Sequence, residues 1–248
     1  LMMSSSQLIK PATSVTIFYR LARWVVRRVL KLYLGWQVLD AHRVPAEGPV
    51  ILAANHQSFL DPPLVAAPLE RRVSFLARRS LFRSWWLGPF MRALRVIPLD
   101  REGGTGAGLK AVLAWLEAGG AVVLFPEGTR SPDGRLQPAR AGVGLVVIRS
   151  GAPVVPVRIF GAFEAWGRHM RWPRPRRVVV KYGRLMRFDA WCAEARGCSL
   201  PRLKELYQMV ADQIMAAIAV LEPRADPVCQ PELAAAQRPA AERQQVSG

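Results

Sequence analysis

Short β-rich runs alternating with helical stretches constrain this chain more than any other feature. From Val44 onward such runs occupy residues 50–54, 73–77, 95–99, 121–125, 154–160 and 177–182. Between and after them, Leu109, Val112, Leu113 and Leu116 repeat with a helical period, and so do Leu203, Leu206, Val210, Ile214, Ile218 and Leu221. Strand and helix in alternation imply an α/β fold: a single domain with a central, largely parallel sheet flanked by helices. A length of 248 residues suits one such domain with short appendages. The domain is expected over residues 41–222, after an N-terminal amphipathic segment (1–40) and before a flexible tail (223–248) rich in Ala, Gln, Pro and Arg.

Charge narrows the partners. Hydrophobic residues make up 51% of the chain, which excludes general disorder, because a disordered chain pairs high charge with low hydrophobicity. Against that background, 35 Lys+Arg face 18 Asp+Glu, a formal charge of +17, and 30 of the basic residues are Arg. The planar guanidinium suits phosphate oxygens better than the point charge of Lys. The excess therefore points to nucleic acid, an anionic membrane or a phosphorylated substrate.

Residues 14–36 favour the membrane. Arg20, Arg23, Arg27, Arg28 and Lys31 recur on one helical face, while Phe18, Leu21, Ala22, Val25, Val29, Leu32, Tyr33 and Trp36 take the other, with Trp24 near the boundary. That is the pattern of a helix lying in a membrane interface; an ordinary amphipathic helix packed on the core is the alternative. No run of about 18 uncharged apolar residues marks a conventional spanning helix. Residues 11–19 are apolar but short and lead into arginines, a poor match to a signal peptide. Cys192, Cys198 and Cys229 form no metal-ligand spacing, and an odd count leaves one thiol over, so a reduced, cytoplasm-facing protein is expected.

Three segments at predicted strand ends carry chemistry. The first is Asn55-His56-Gln57-Ser58-Phe59-Leu60-Asp61. Pro62 and Pro63 disfavour the α region at the residues before them, so a turn is expected that folds the Asp61 carboxylate back onto the His56 imidazole. A carboxylate holding one ring nitrogen protonated leaves the other as a base, two-thirds of a Ser-His-Asp triad. A substrate hydroxyl in the nucleophile's place makes the reaction an acyl transfer to an alcohol without a covalent enzyme intermediate. Ser58 as a covalent nucleophile, and His56 as a mere turn residue, are the competing accounts.

The second segment is Phe125-Pro126-Glu127-Gly128-Thr129-Arg130-Ser131, whose backbone N–H groups, hydroxyls and guanidinium are donors for a phosphate. Glu127 does not fit that set and is expected to orient Arg130 or accept a hydrogen bond from a substrate hydroxyl. The third, Ile97-Pro98-Leu99-Asp100-Arg101, brings Arg101 to another strand end. In a parallel sheet the strand C-termini share one edge, where His56, Arg101 and Arg130 would converge.

In these residues the chain resembles the glycerolipid acyltransferases, particularly the 1-acyl-glycerol-3-phosphate acyltransferases of bacterial phospholipid synthesis. The family's four blocks look matched by residues 55–61, 96–101, 125–131 and by Val154-Val155-Pro156-Val157. The resemblance covers residues 44–188. It implies His56 as general base on the acceptor hydroxyl and Asp61 as the group that orients it. Arg101, Glu127, Gly128, Thr129 and Arg130 would hold the glycerol phosphate, with the fourth block structural or part of the acyl site. It further implies acyl-CoA or acyl carrier protein as donor substrate, no metal or other cofactor, a lysophosphatidate-like acceptor, and a peripheral or monotopic place on the cytoplasmic side of the cell membrane. Glycerol 3-phosphate or a lyso-aminolipid is the alternative acceptor. Trp85 and Trp86 in the linking segment 81–91 are candidate membrane or acyl-chain contacts.

Two rivals come from other classes. Gly106-Ala107-Gly108 after a strand, with Glu127 further on, fits the loose form of a dinucleotide fingerprint, but leaves the His56 and Arg130 segments unexplained. A non-enzymatic binder of membranes or nucleic acid predicts no dependence on His56. No nucleic-acid motif is present, so no nucleic-acid partner is expected.

Overall fold

In this computed structural model, residues 17–78, 97–99, 105–224 and 226 are described. Trp85, Trp86, Arg101 and the segment 227–248 lie outside the described residues. The elements run α1 (Ile17–Leu34), β1 (Gln37–Leu39), β2 (Val50–Ala54), α2 (Asp61–Ala66), β3 (Val73–Arg78), β4 (Ile97–Leu99) and α3 (Thr105–Glu117). They continue with β5 (Ala121–Leu124), α4 (Ala141–Ser150), β6 (Val154–Phe160), α5 (Ala162–Trp166), β7 (Val179–Tyr182), α6 (Asp189–Glu194) and α7 (Leu200–Ala219).

Among the described residues the strands form one seven-stranded sheet in the order β1-β7-β6-β2-β5-β3-β4. Every neighbouring pair is parallel except β6 with β7. The largely parallel sheet expected from the alternation is therefore present, with an antiparallel turn toward the β1 edge. Pro156 sits near that turn. Its carbonyl accepts from Gly183 N–H at 2.7 Å, and with no N–H it cannot return the bond, so the ladder of β7 stops at Tyr182.

Both faces of the sheet are covered, as side-chain alternation requires. Val50, Leu52 and Ala54 of β2 face one core with Leu30 and Leu34 of α1, Leu64 of α2 and Ala165 of α5. Ile51 and Ala53 face the other with Leu116 of α3, Val147 of α4 and Ile214 of α7. A Cβ at Gly144 would stand 1.8 Å from the Tyr207 carbonyl oxygen. Only glycine allows α4 to lie this close to α7.

Helix α1 has three faces, not two. Val26, Leu30 and Leu34 pack on the core. Leu21, Val25, Val29 and Leu32 are exposed, Leu32 to 85%. Arg20, Arg27, Arg28 and Lys31 are exposed on a third face, and Arg23 turns to donate to the Leu69 carbonyl. Of the apolar residues expected on one face, Leu21, Val25, Val29, Leu32 and Tyr33 stay open and Trp36 is partly buried against the core, while Val26, Leu30 and Leu34, outside that set, hold the helix to the domain. Among the described residues, no helix is long and apolar enough to cross a membrane.

Candidate active site

Strand β2 delivers the site. Its five residues are fully buried, and Asn55 just beyond it splints β2 to β6: its side-chain N–H donates to Ile159 O at 3.1 Å, and its side-chain oxygen accepts from Ile159 N at 2.7 Å. The chain then turns, and His56 Nδ1 lies 2.8 Å from Asp61 Oδ2. The same oxygen accepts from Gln57 N at 2.6 Å and Ser58 N at 2.7 Å. An oxygen taking two backbone N–H bonds acts as an acceptor, so Nδ1 carries the proton and Nε2 keeps the lone pair. The imidazole also stacks on Phe125, with ring centroids 4.0 Å apart and planes 17° from parallel.

The turn forms differently from the expectation built on Pro62 and Pro63. Asp61 is not pushed out of the helical region; it is the first residue of α2, and both prolines lie in the helix's first turn. Prolines are tolerated there because the first N–H groups of a helix have no intrahelical partner to lose. Three hydrogen bonds to one Asp61 oxygen outweigh the pre-proline preference. Asp61 is fully buried, which pushes its carboxyl up, while His56 and the two amides pull it back.

Ser58 is no nucleophile in this arrangement. Its hydroxyl is buried, donates to Trp166 O at 2.8 Å and accepts from Leu60 N at 3.1 Å.

The segment after β5 grips His56 from both sides. Glu127 is 2% exposed, and its Oε1 accepts from the His56 backbone N–H at 3.1 Å. Ser131 N donates to the His56 carbonyl at 2.7 Å. Glu127 therefore binds the backbone of His56. Burial, joined by the charge of Asp61, pushes its carboxyl up to about 7 against the pull of the amides. The Ser131 hydroxyl is spent within the loop, on Asp133 and Arg135 O. Gly128 has φ of 71° and meets the Arg140 side chain, 2.9 Å from where a Cβ would stand. The backbone angle calls for glycine, while the Arg140 side chain is flexible enough to move aside.

A cavity of about 740 Å³ opens at this edge. His56, Gly128, Thr129 and Arg130 line it, and Arg140 and Arg168 add two cations. Its floor is apolar, with Val123 of β5 and Val143 and Val146 of α4. The Arg130 guanidinium lies 3.5 Å from the Phe59 ring centroid, a stacking that orients it. Arg101 is outside the described residues. Arg140 and Arg168 escaped the sequence reasoning, although each borders a segment with a signal: Arg140 precedes the apolar run of α4, and Arg168 opens a stretch rich in Arg and Pro, residues 168–177. The fourth block lies in β6 and contributes core residues there.

The dinucleotide alternative loses its support in this geometry. Gly106 and Gly108 are helical residues of α3, and Glu127, the acidic residue that fingerprint requires, is bound to His56 N. Among the described residues no three His, Cys, Asp or Glu side chains gather to hold a metal ion.

A His–Asp pair at the carboxyl edge of a mostly parallel sheet, beside a cationic cavity with an apolar floor, defines a class of group-transfer site. The family model described as Acyltransferase matches residues 36–160, and the chain belongs to that family. It is 30% identical over 158 residues to a chloroplastic 1-acyl-sn-glycerol-3-phosphate acyltransferase of Brassica napus, covering 59% of this chain and 46% of that one. It is 26% identical over 144 residues to the 1-acyl-sn-glycerol-3-phosphate acyltransferase of Bacillus subtilis (strain 168), covering 58% and 71%. The chain spans about half the length of the Brassica relative. In fold it is similar to the 1-acyl-sn-glycerophosphate acyltransferase PlsC of Thermotoga maritima, with a TM-score of 0.61, 23% identity and coverage of 85% and 86%.

Proposed function

We propose that the protein transfers a fatty acyl group from acyl-CoA or acyl carrier protein to the sn-2 hydroxyl of 1-acyl-glycerol 3-phosphate, yielding phosphatidate. The observation that carries this reading is the 2.8 Å contact between His56 Nδ1 and Asp61 Oδ2 beside a cavity lined by Arg130. Its chemistry matches the names of the relatives, 1-acyl-sn-glycerol-3-phosphate acyltransferases.

In this mechanism His56 Nε2 takes the proton of the acceptor hydroxyl as its oxygen attacks the thioester carbonyl. The C–O bond forms, the C–S bond breaks, and the departing thiolate takes the proton from the imidazolium. Asp61 holds the ring and balances its positive charge. A positioned base of this kind contributes about 10²–10⁴ in rate. Arg130, with Thr129 and the Gly128 turn, meets the acceptor phosphate, a role the family resemblance also gives to Arg101. The exposed apolar and basic faces of α1 support a peripheral position on the cytoplasmic side of the membrane, where lyso-acceptor and product reside.

The test is purified protein with lysophosphatidate and either donor, phosphatidate being the product measured. His56→Ala is expected to abolish turnover while leaving the urea unfolding midpoint close to wild type, and Arg130→Ala to raise the acceptor KM. Near-normal turnover in His56→Ala overturns the mechanism. Glycerol 3-phosphate or a lyso-aminolipid, supplied as competing acceptors, decides the acceptor.

A further inference from the structure

The Arg/Pro-rich segment 167–178 is not used by the chemistry, yet its tip is conspicuous. Trp172 is 72% exposed. Arg171, Arg174, Arg176 and Arg177 around it are exposed as well. The segment contains no Asp or Glu, and neither does α1.

This loop is attached at both ends to parts already described. At its start, Gly167 forms a β-bridge with Ser58, and Ser58 Oγ donates to Trp166 O, so the loop leaves directly from the His56–Asp61 turn. Arg168 lines the cavity. At its end, Val178 N donates to Leu34 O at 3.1 Å, and Arg177 donates to Gln37 Oε1 at 2.6 Å. The tip itself is pinned: Tyr33 Oη donates to Pro173 O at 3.0 Å. Tyr33 closes a row at four-residue spacing, Leu21, Val25, Val29 and Tyr33, all exposed. Residues four apart stack along one side of a helix, so the open apolar face of α1 leads to the residue beside Trp172.

We infer that Trp172 and the exposed face of α1 form one docking surface for an anionic lipid bilayer, with Trp172 a second anchor that turns the cavity mouth toward the membrane. The partner follows from charge and shape together. Exposed apolar side chains on two segments that together carry nine exposed cations and no Asp or Glu of their own suit acyl chains beneath anionic headgroups, and Trp is the side chain suited to that boundary. An acidic protein would satisfy the arginines but not an apolar row along a whole helix. The inference rests on the lipid-acyltransferase reading only for its biological sense; the binding itself needs no turnover.

The experiment is co-sedimentation of the full chain with vesicles of phosphatidylcholine containing 30% phosphatidylglycerol, against vesicles of phosphatidylcholine alone. The wild type is expected to bind the anionic vesicles and to release with salt. Trp172→Ala is expected to weaken binding at least tenfold, from about half of an indole's roughly 200 Å² withdrawn from the apolar boundary. Arg174→Glu with Arg176→Glu is expected to weaken it further, by about fivefold for each charge removed. Leu200→Ala, at a residue 74% exposed on α7, is the control and should bind as wild type. Unchanged unfolding midpoints show that the variants fold.

Vesicle binding by Trp172→Ala equal to wild type overturns the inference. So does retained vesicle binding coupled to loss of acyl carrier protein binding, or to loss of self-association. Loss of vesicle binding with full turnover on a short-chain, monomeric acceptor separates this surface from the catalytic reading. Wild type that binds vesicles but forms no phosphatidate leaves the surface standing and sinks the activity.

Discussion

Replacing Glu127 by Gln separates two roles for a residue that the sequence assigns to the substrate and the structure turns toward the His56 backbone. Glu127 is buried, and its carboxyl lies at about 7 against an ordinary value of 4.5. A pKa raised in the folded state means that the folded chain holds this proton more tightly. Its contribution to stability is therefore fully present below about 4.5 and is lost as pH rises through about 7. At 1.36 kcal/mol per pH unit, that interval corresponds to a ceiling of about 3 kcal/mol. Gln keeps an oxygen to accept the His56 N–H but cannot ionise. Urea midpoints of both proteins between pH 5 and pH 8.5 are the assay, because groups common to both cancel in the difference. Glu127→Gln is expected to gain on the wild type as pH rises, by up to about 3 kcal/mol. Its kcat should fall less than that of Glu127→Ala, which leaves the His56 N–H without a partner at about 1–3 kcal/mol. A stability difference that is flat with pH refutes the buried, titrating carboxyl. A raised acceptor KM at unchanged kcat refutes the positioning role and returns Glu127 to the substrate.

Asp61 gives a second pair of variants. Asp61→Asn retains an oxygen for the Gln57 and Ser58 amides and should fold with near wild-type stability while losing turnover, since the imidazolium has no countercharge. Asp61→Ala leaves two buried N–H groups unpaired and should lose about 2–6 kcal/mol in urea unfolding; equal midpoints for the two variants would contradict the hydrogen bonds drawn here. Lys181 is 1% exposed and bonded to Asp40, Asp226 and Arg224 O, joining β7 to the chain after α7. Lys181→Met should cost about 3–5 kcal/mol through the carboxylates it leaves behind, although Arg43 still reaches both of them. A midpoint equal to wild type would mean the cluster holds nothing together.

Much of the sheet is legible locally. The runs at 50–54 and 154–160 coincide with β2 and β6, because short, mostly apolar stretches containing β-branched residues and bounded by turn residues leave few alternatives to a buried strand. β1 is not legible: Gln37–Leu39 carries no pattern of its own and exists because β7 offers it an edge. Helix α4 is missed for a related reason. Ala141–Ser150 is apolar on several sides and holds two glycines, which lower helix propensity, and Gly144 makes sense only against the Tyr207 carbonyl.

The same division runs through the site. The pairing of His56 with Asp61 is close in sequence, because one carboxylate oxygen within the segment 56–61 takes Nδ1 and the Gln57 and Ser58 amides, although Asp61 begins α2 and is not pushed out of the helical region by the prolines. The amphipathic stripe of α1 likewise follows from helical period alone. What the stripe cannot say is which side of the helix meets the protein's own core; Val26, Leu30 and Leu34, outside the stripe, were taken by the core, leaving Leu21, Val25, Val29 and Leu32 open. Nor does any local rule send Glu127 to a backbone N–H 71 residues away, bring Arg140 and Arg168 into one cavity, or bond Tyr33 to Pro173 across 140 residues. Periodicity and turn preference act over a few residues, through sterics and hydrogen bonds that the chain meets wherever it is. Those long-range contacts exist only after the sheet has packed, because burial and close approach decide which polar groups must find each other.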